Sequence, residues 1–96
     1  MSEVRIVWGL ADWEHGGLLV PFAERPPMQW CHIFSRSIHP LHGMKAWGEI
    51  GLTPDQRKVY VLEVMPRYER TLRDHLDGLV AHANDLYAVE GRRRAA

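Results

Sequence analysis

The sequence predicts an α+β domain in which a small antiparallel sheet of about three strands precedes a kinked C-terminal helical segment over residues 54–90. Two observations support this fold class. Short apolar runs in the first third of the chain are separated by turn-forming residues, which is typical of strands joined by short connections. From Val61 to Val89, apolar side chains then recur about every 100° of helical rotation, which is typical of a long amphipathic helix.

Three segments of the first half have the character of strands. Residues 3–9 alternate apolar and polar side chains, the pattern of a half-buried strand. Residues 17–22 form a second apolar run, and Pro21 within it removes a backbone donor, which predicts a position at the sheet edge. Residues 29–35 are predicted as a third strand that is covered on both faces, because apolar side chains occupy odd and even positions alike.

The helical segment is predicted to begin at Thr53, a good N-cap residue, with Pro54 at the first helical position. Val59–Leu62 also has strong strand propensity, and a strand there is the rival prediction. Helix is favoured because the apolar phase continues through Pro66, where the missing backbone donor predicts a kink. The apolar stripe comprises Val61, Met65, Tyr68, Leu72, Leu76, Leu79, Ala83 and Leu86.

The whole chain, residues 1–96, is predicted to form a single domain, since no composition shift or linker divides it. Its sheet-rich half spans residues 1–52 and includes an irregular stretch at 36–52. The helical half spans residues 53–91, and residues 92–96 form a basic tail. A chain of 96 residues lies near the lower end of what one core stabilises unaided.

Charge and cysteine content narrow the class of protein. Twelve basic residues balance twelve acidic ones, which disfavours nucleic acid and membrane surfaces as partners. Cys31 is the single cysteine, so an internal disulfide cannot form and an oxidising compartment is not implied. The sequence has neither a basic-then-apolar leader nor an apolar run of about 18 residues. A cytoplasmic protein is therefore expected.

The length of the helix predicts a partner surface. A helix of about 25 residues is about 37 Å long, whereas strands of about 6 residues cover about 20 Å. Part of the stripe then overhangs the sheet, and a second copy or another protein would bury it. Alternatively, the kink folds the stripe inward. The predicted function is a non-enzymatic protein–protein interaction module, a homodimer or an inhibitor or adaptor. Its predicted partner-binding residues are Tyr68, Leu72, Leu79 and Leu86 of the stripe, and Trp13 in a polar turn.

Two other functions are open. A nucleic-acid-associated regulator would use the Arg92–Arg94 tail with Trp13. A metal protein would use His32, His39 and His42, although no carboxylate beside them offers a base. No cofactor or metal site is predicted, because neither pattern is specific.

Catalysis is not indicated by any motif. The hydroxyl side chains lie outside nucleophile elbows and glycine-rich loops, and Cys31 lies in an apolar run typical of an inert thiol. His75 and His82 border the apolar stripe, where they would make self-association sensitive to pH if the helix dimerises. The protein is therefore predicted not to be an enzyme.

Overall fold

The computed structural model describes residues 3–14, 16–38 and 46–95. The predicted fold class is confirmed, since a three-stranded antiparallel sheet is combined with a long C-terminal helix. Short 3₁₀ turns lie at Trp8–Leu10 and Pro66–Tyr68. The strands and helices are, in order, β1 (Leu18–Pro21), α1 (Met28–Ser37), β2 (Ile50–Leu52), β3 (Lys58–Val61) and α2 (Glu69–Ala95).

The sheet has the order β1-β3-β2, so the last strand in sequence lies in the centre. Val61 pairs with Leu18 on one side and with Ile50 on the other, and all three side chains are buried. This face of the sheet joins α1 and α2 in one apolar core. On the opposite face, the ring of Tyr60 lies across Gly51, where a Cβ atom would collide with the tyrosine ring.

Of the three predicted strands, residues 17–22 are confirmed as β1, at the predicted edge of the sheet. Residues 3–9 are not a strand. They run along the free side of β1, where Ile6 forms an isolated bridge with Phe22 and the Val7 amide donates to the Pro21 carbonyl at 2.9 Å. The 3₁₀ turn then breaks the ladder. The alternation was genuine, but it reflects a segment that is only partly paired with its neighbour.

The prediction of a third strand at residues 29–35 is wrong, because this segment lies within helix α1. The rings of Trp30 and Phe34, one helical turn apart, stack at a centroid distance of 5.2 Å. Consecutive apolar residues that a strand would place on two faces share one broad helix face here. The buried residues of α1 are Trp30, Cys31, Ile33, Phe34 and Ser37, a helical spacing.

The prediction of helix over residues 54–65 is also wrong, and the rival strand is observed as β3. As the central strand, β3 has its backbone paired on both sides and buries Val59 and Val61 on one face. Thr53 caps a turn and not a helix, since its hydroxyl donates to the Asp55 carboxylate at 2.6 Å. Met65 is extended and Pro66 opens the helical region, so the proline starts a helix instead of kinking one.

Helix α2 buries a stripe along most of its length and is covered by α1 where it extends past the sheet. The Trp30 indole donates to the Asn84 amide oxygen at 2.9 Å, and the Gln29 amide donates to Glu90 at 3.0 Å. Helix α1 therefore covers part of the predicted overhang, while Leu86 and Val89 remain exposed. The helix also continues through Gly91 to Ala95, so residues 92–95 are helical and do not form a separate tail.

The stretch 36–52 was predicted to be irregular, but it contains the end of α1 and the whole of β2. His39 and His42 lie outside the described residues. Within the described ranges, no helix combines the length and apolarity needed to cross a membrane.

Candidate functional site

The predicted partner-binding residues separate into buried and exposed groups. Leu72 is 0% exposed and Leu79 is 9% exposed, so both belong to the core and neither is accessible to a partner in this fold. Tyr68 is half-buried. Leu86 is 38% exposed and Trp13 is 36% exposed. Most of the apolar stripe is therefore not accessible to a partner. The candidate site described next is the exposed surface around Trp13.

Trp13 lines a groove of about 460 Å³ between the N-terminal segment and the first half of α2. The segment is held there by paired backbone bonds between Asp12 and Leu19 of β1, both 2.8–2.9 Å long. The residues that line this cavity, the Trp13 groove, are Trp13, Glu69, Arg70, Arg73, Asp74 and Asp77.

The charges of the Trp13 groove come from one side of α2. Arg70 and Asp74 are four residues apart, as are Arg73 and Asp77, so each pair projects from neighbouring turns. Within the described part of the chain, these side chains form no ion pair within 4.0 Å; the one found is Arg36–Glu90, at 3.7 Å. The groove therefore presents unpaired charges of both signs to solvent.

One end of the groove is organised by Trp8. Its indole donates to the Asp77 carboxylate at 2.8 Å, and the Arg73 guanidinium lies 4.8 Å from the centroid of its ring. A guanidinium stacked on an indole is held by the electrostatic attraction of the ring face. Its N–H groups stay available in the plane of the guanidinium. Trp8, Arg73 and Asp77 thus form an internal cation–π unit with a carboxylate beside it.

Trp13 also lies among charges of both signs, since Arg70 and Arg73 line the groove together with the carboxylates. Glu69 and Asp74 line the groove beside it, yet among the described residues no arginine or lysine is stacked over its ring. An exposed indole in a groove that also holds carboxylates can offer its ring face to an ammonium or guanidinium group from another molecule. The exposed ring face of Trp13 and the carboxylates are the groups of this groove with which a basic side chain can interact.

Asn84 ties the N-terminal segment to α2 and was missed by the sequence analysis. Its amide nitrogen donates to the Val4 carbonyl at 3.0 Å, and its amide oxygen accepts the Val4 amide at 3.3 Å and the Trp30 indole at 2.9 Å. These bonds anchor the start of the segment that carries Trp8 and Trp13. The available signal was an asparagine inside a long helix, a residue type of poor helix propensity that often has a specific partner.

The metal hypothesis stays a prediction, because His39 and His42 lie outside the described residues. His32 is exposed on α1, and no group of three or more His, Cys, Asp or Glu side chains in the described ranges converges on a possible metal position. Burial raises the pKa of the Cys31 thiol above its ordinary value, against a smaller opposite effect of Arg25. A thiol with a raised pKa is a weak nucleophile at neutral pH. Cys31 is best explained as a core residue.

The two histidines predicted at the border of the stripe differ in environment. The His75 ring packs on Trp47 at a centroid distance of 5.2 Å, and its Nε2 atom is buried without a hydrogen-bond partner in the described part of the chain. Burial lowers the pKa of His75 below its ordinary value. His82 is exposed. The protonation of His75 is therefore linked to the packing of α2.

The basic C-terminal end is accessible. Arg92 and Arg93 are exposed on the last turns of α2, about five helical turns from the Trp13 groove. A second cavity of about 410 Å³ lies between residues 3–5 and 23–27, where its charged lining is balanced in sign. Its walls offer no cluster of groups that points to a ligand.

Comparison with known proteins gives no match: no protein-family model, curated protein or solved structure is significantly similar to the chain.

Proposed function

We propose that this protein is a non-enzymatic protein–protein interaction module of the cytoplasm, and that it binds its partner at the Trp13 groove. The observation that carries the proposal is an exposed indole that shares a groove with unpaired charges of helix α2. Tryptophan and arginine contribute most of the binding energy in many protein interfaces, especially where they are held in place before binding. A cytoplasmic location agrees with the single cysteine.

The surface proposed to bind the partner is therefore the Trp13 groove, on a different side of α2 from the apolar stripe. The stripe serves the core, as the burial of Leu72 and Leu79 demonstrates. Leu86 is still accessible in part, but it lies two to three turns beyond the groove and is not needed for the proposal. The contact is expected to be polar and modest in affinity, because exposed charges gain little when they pair in water.

The partner group is expected to be basic. Arg73 lies over the ring of Trp8, and Asp77 accepts a hydrogen bond from the same indole. The proposed contact of Trp13 with a basic group has the same form. Trp13, with Glu69 and Asp74, can accept a second guanidinium or ammonium group in the same way. The groove lining carries three carboxylates (Glu69, Asp74 and Asp77) against two arginines (Arg70 and Arg73), a balance that favours a basic partner group over an acidic one.

The proposal is tested by nuclear magnetic resonance with short blocked peptides. The probe is acetyl-Gly-Arg-Arg-Gly-amide, and its counterpart with two glutamates serves as the control ligand. We expect the arginine peptide to shift the indole N–H signal of Trp13, assigned by loss of that signal in Trp13→Phe. The glutamate peptide should leave it in place.

Matched variants locate the contact. Asp74→Asn and Glu69→Gln should weaken binding of the arginine peptide, whereas Asp85→Asn, an exposed carboxylate elsewhere on α2, should not. Arg70→Gln should strengthen binding, because it removes a like charge from the groove wall. Equal shifts with both peptides, or none with either, would show that the groove does not recognise basic groups.

A further inference from the structure

We infer that the basic group bound in the Trp13 groove is the C-terminal end of α2 from a second copy of this chain. The inference rests on the proposed function of the groove and names its occupant. Arg92 and Arg93 are exposed at that end, and the groove carries the complementary carboxylates of Glu69 and Asp74. The arginines and these carboxylates thus have opposite charges and lie near opposite ends of the same helix.

The arginines of one molecule cannot reach its own groove. Helix α2 is continuous from Glu69 to Ala95, and Arg92 follows Asp74 by about five turns, or about 27 Å. An α-helix cannot fold back on itself over that distance. If these arginines enter such a groove, they enter the groove of another molecule.

The helix also has a face that allows a second helix to approach. Five turns return to nearly the same angular position, so Asp74 and Arg92 share one face of α2. Between them on that face lie four exposed residues, of which three are small: Gly78, Ala81, Asp85 and Ala88. Two α2 helices can therefore approach along this face, with Asp85 of each copy lying opposite Ala81 of the other.

An antiparallel arrangement satisfies both ends at once. With a twofold axis at the level of Ala83, Asp74 of one copy faces Arg92 of the other, and the reverse contact follows by symmetry. The positive N-terminal end of each helix dipole then lies beside the negative C-terminal end of the other. A parallel arrangement would bring like charges together. The geometry thus points to a reciprocal, charge-complementary dimer.

The experiment is sedimentation velocity on the full chain over a concentration series. We expect a monomer–dimer equilibrium that weakens when salt rises from about 0.05 M to about 0.5 M, because the Debye length falls severalfold. Two charge-reversed variants test the contact: Glu69→Lys with Asp74→Lys in the groove, and Arg92→Glu with Arg93→Glu at the helix end. Each alone should weaken dimerisation by about tenfold or more. Lys58→Glu, on β3, is the control and should leave the equilibrium unchanged.

Mixing the two reversed variants is the decisive step. In the mixed dimer, the reversed groove meets the reversed helix end, and the natural groove meets the natural helix end. Dimerisation should therefore return towards the natural value. Far-ultraviolet circular dichroism verifies that each variant keeps α2, and Arg92→Gln with Arg93→Gln replaces the reversed pair if helicity is lost.

Three results would overturn the inference. A chain that stays monomeric at every concentration, while Trp13 still responds to the arginine peptide, would exclude the second copy and leave the proposed function intact. Failure of the mixture to restore dimers would exclude the reciprocal contact. Growth beyond dimers with concentration would show an open, head-to-tail contact and exclude the twofold arrangement.

Discussion

Helix α1 (Met28–Ser37) and strand β3 (Lys58–Val61) form an instructive pair, because the sequence predicted each as the other's type of structure. Both segments are short and dense in apolar residues. In α1 the buried rings of Trp30 and Phe34 are four positions apart, whereas in β3 the buried Val59 and Val61 are two apart. The spacing of the buried residues distinguishes the helix from the strand. Which residues are buried, however, cannot be read from the sequence.

The exposed residues of α1 carried the better signal. His32, Ser35 and Arg36 are all exposed and are spaced three and four positions apart, which is helical. The strand prediction weighed the apolar residues alone and accepted two covered faces. In β3 the exposed Lys58 and the half-buried Tyr60 alternate with buried valines, which is the period of a strand. Polar positions are thus the more reliable guide in short, apolar segments.

The largest effect is expected from Trp30→Ala in α1. The change removes a fully buried ring and its hydrogen bond to Asn84, and should lower the free energy of unfolding by about 3–5 kcal/mol. Urea denaturation followed by circular dichroism measures it. His32→Ala, on the exposed side of the same helix, should change stability by less than about 0.5 kcal/mol. Similar losses for both variants would contradict the helical orientation of α1.

Asn84→Ala tests the connection between α1, α2 and the N-terminal segment. It should lower the free energy of unfolding by about 2–3 kcal/mol, because two backbone groups of Val4 and the Trp30 indole lose their partner together. Asp85→Ala, its exposed neighbour, is the matched control. The same denaturation measurement applies, and a loss no greater than that of the control would show that solvent replaces these bonds.

For β3 we expect a somewhat smaller loss from Val61→Ala, about 1.5–2.5 kcal/mol, because a buried side chain between two paired strands is shortened. Lys58→Ala, exposed on the same strand, should be nearly neutral. Thermal unfolding of both variants measures the two changes in stability. A rise in stability for Val61→Ala would indicate a helix, in which alanine is favoured, and would contradict the assignment of β3 as a strand.

The smallest effect expected is a pH dependence of stability that arises from His75 of α2, which packs against Trp47. Because burial lowers the pKa of His75 below 6.5, the unfolded chain binds the proton more readily than the folded one. Stability from this group is complete above pH 6.5 and is lost as pH falls towards the lowered value. Denaturation midpoints should therefore decline in that window.

Two variants assign the pH effect to His75. His75→Phe keeps an aromatic ring against Trp47 and should remove this part of the decline. His82→Gln should leave the decline unchanged, because that side chain is exposed. An identical pH profile for His75→Phe and the natural chain would assign the titration to other groups.

Several features were predictable because they depend on local pattern. The strand at residues 17–22, the helical stripe through Leu72 and Leu76, and the exposure of Trp13 in a polar turn are all confirmed. For the candidate site, the sequence named Trp13 but not its surroundings. The contacts of Trp8 with Asp77 and of Asn84 with Val4 join residues more than 60 positions apart, and no local pattern contains them.

By itself, then, the sequence determined the fold class, the buried stripe of α2 and the polar setting of Trp13. The tertiary structure decided which short apolar segment became α1 and which became β3. Strand and helix propensities of a few residues differ by only about 1 kcal/mol, less than the burial of one large side chain. It also decided which side of α2 is accessible, because α1 covers the part of the helix that the sheet leaves open. Leu72 and Leu79, which the sequence predicted to contact a partner, belong to the core, whereas Trp13 and Leu86 are exposed.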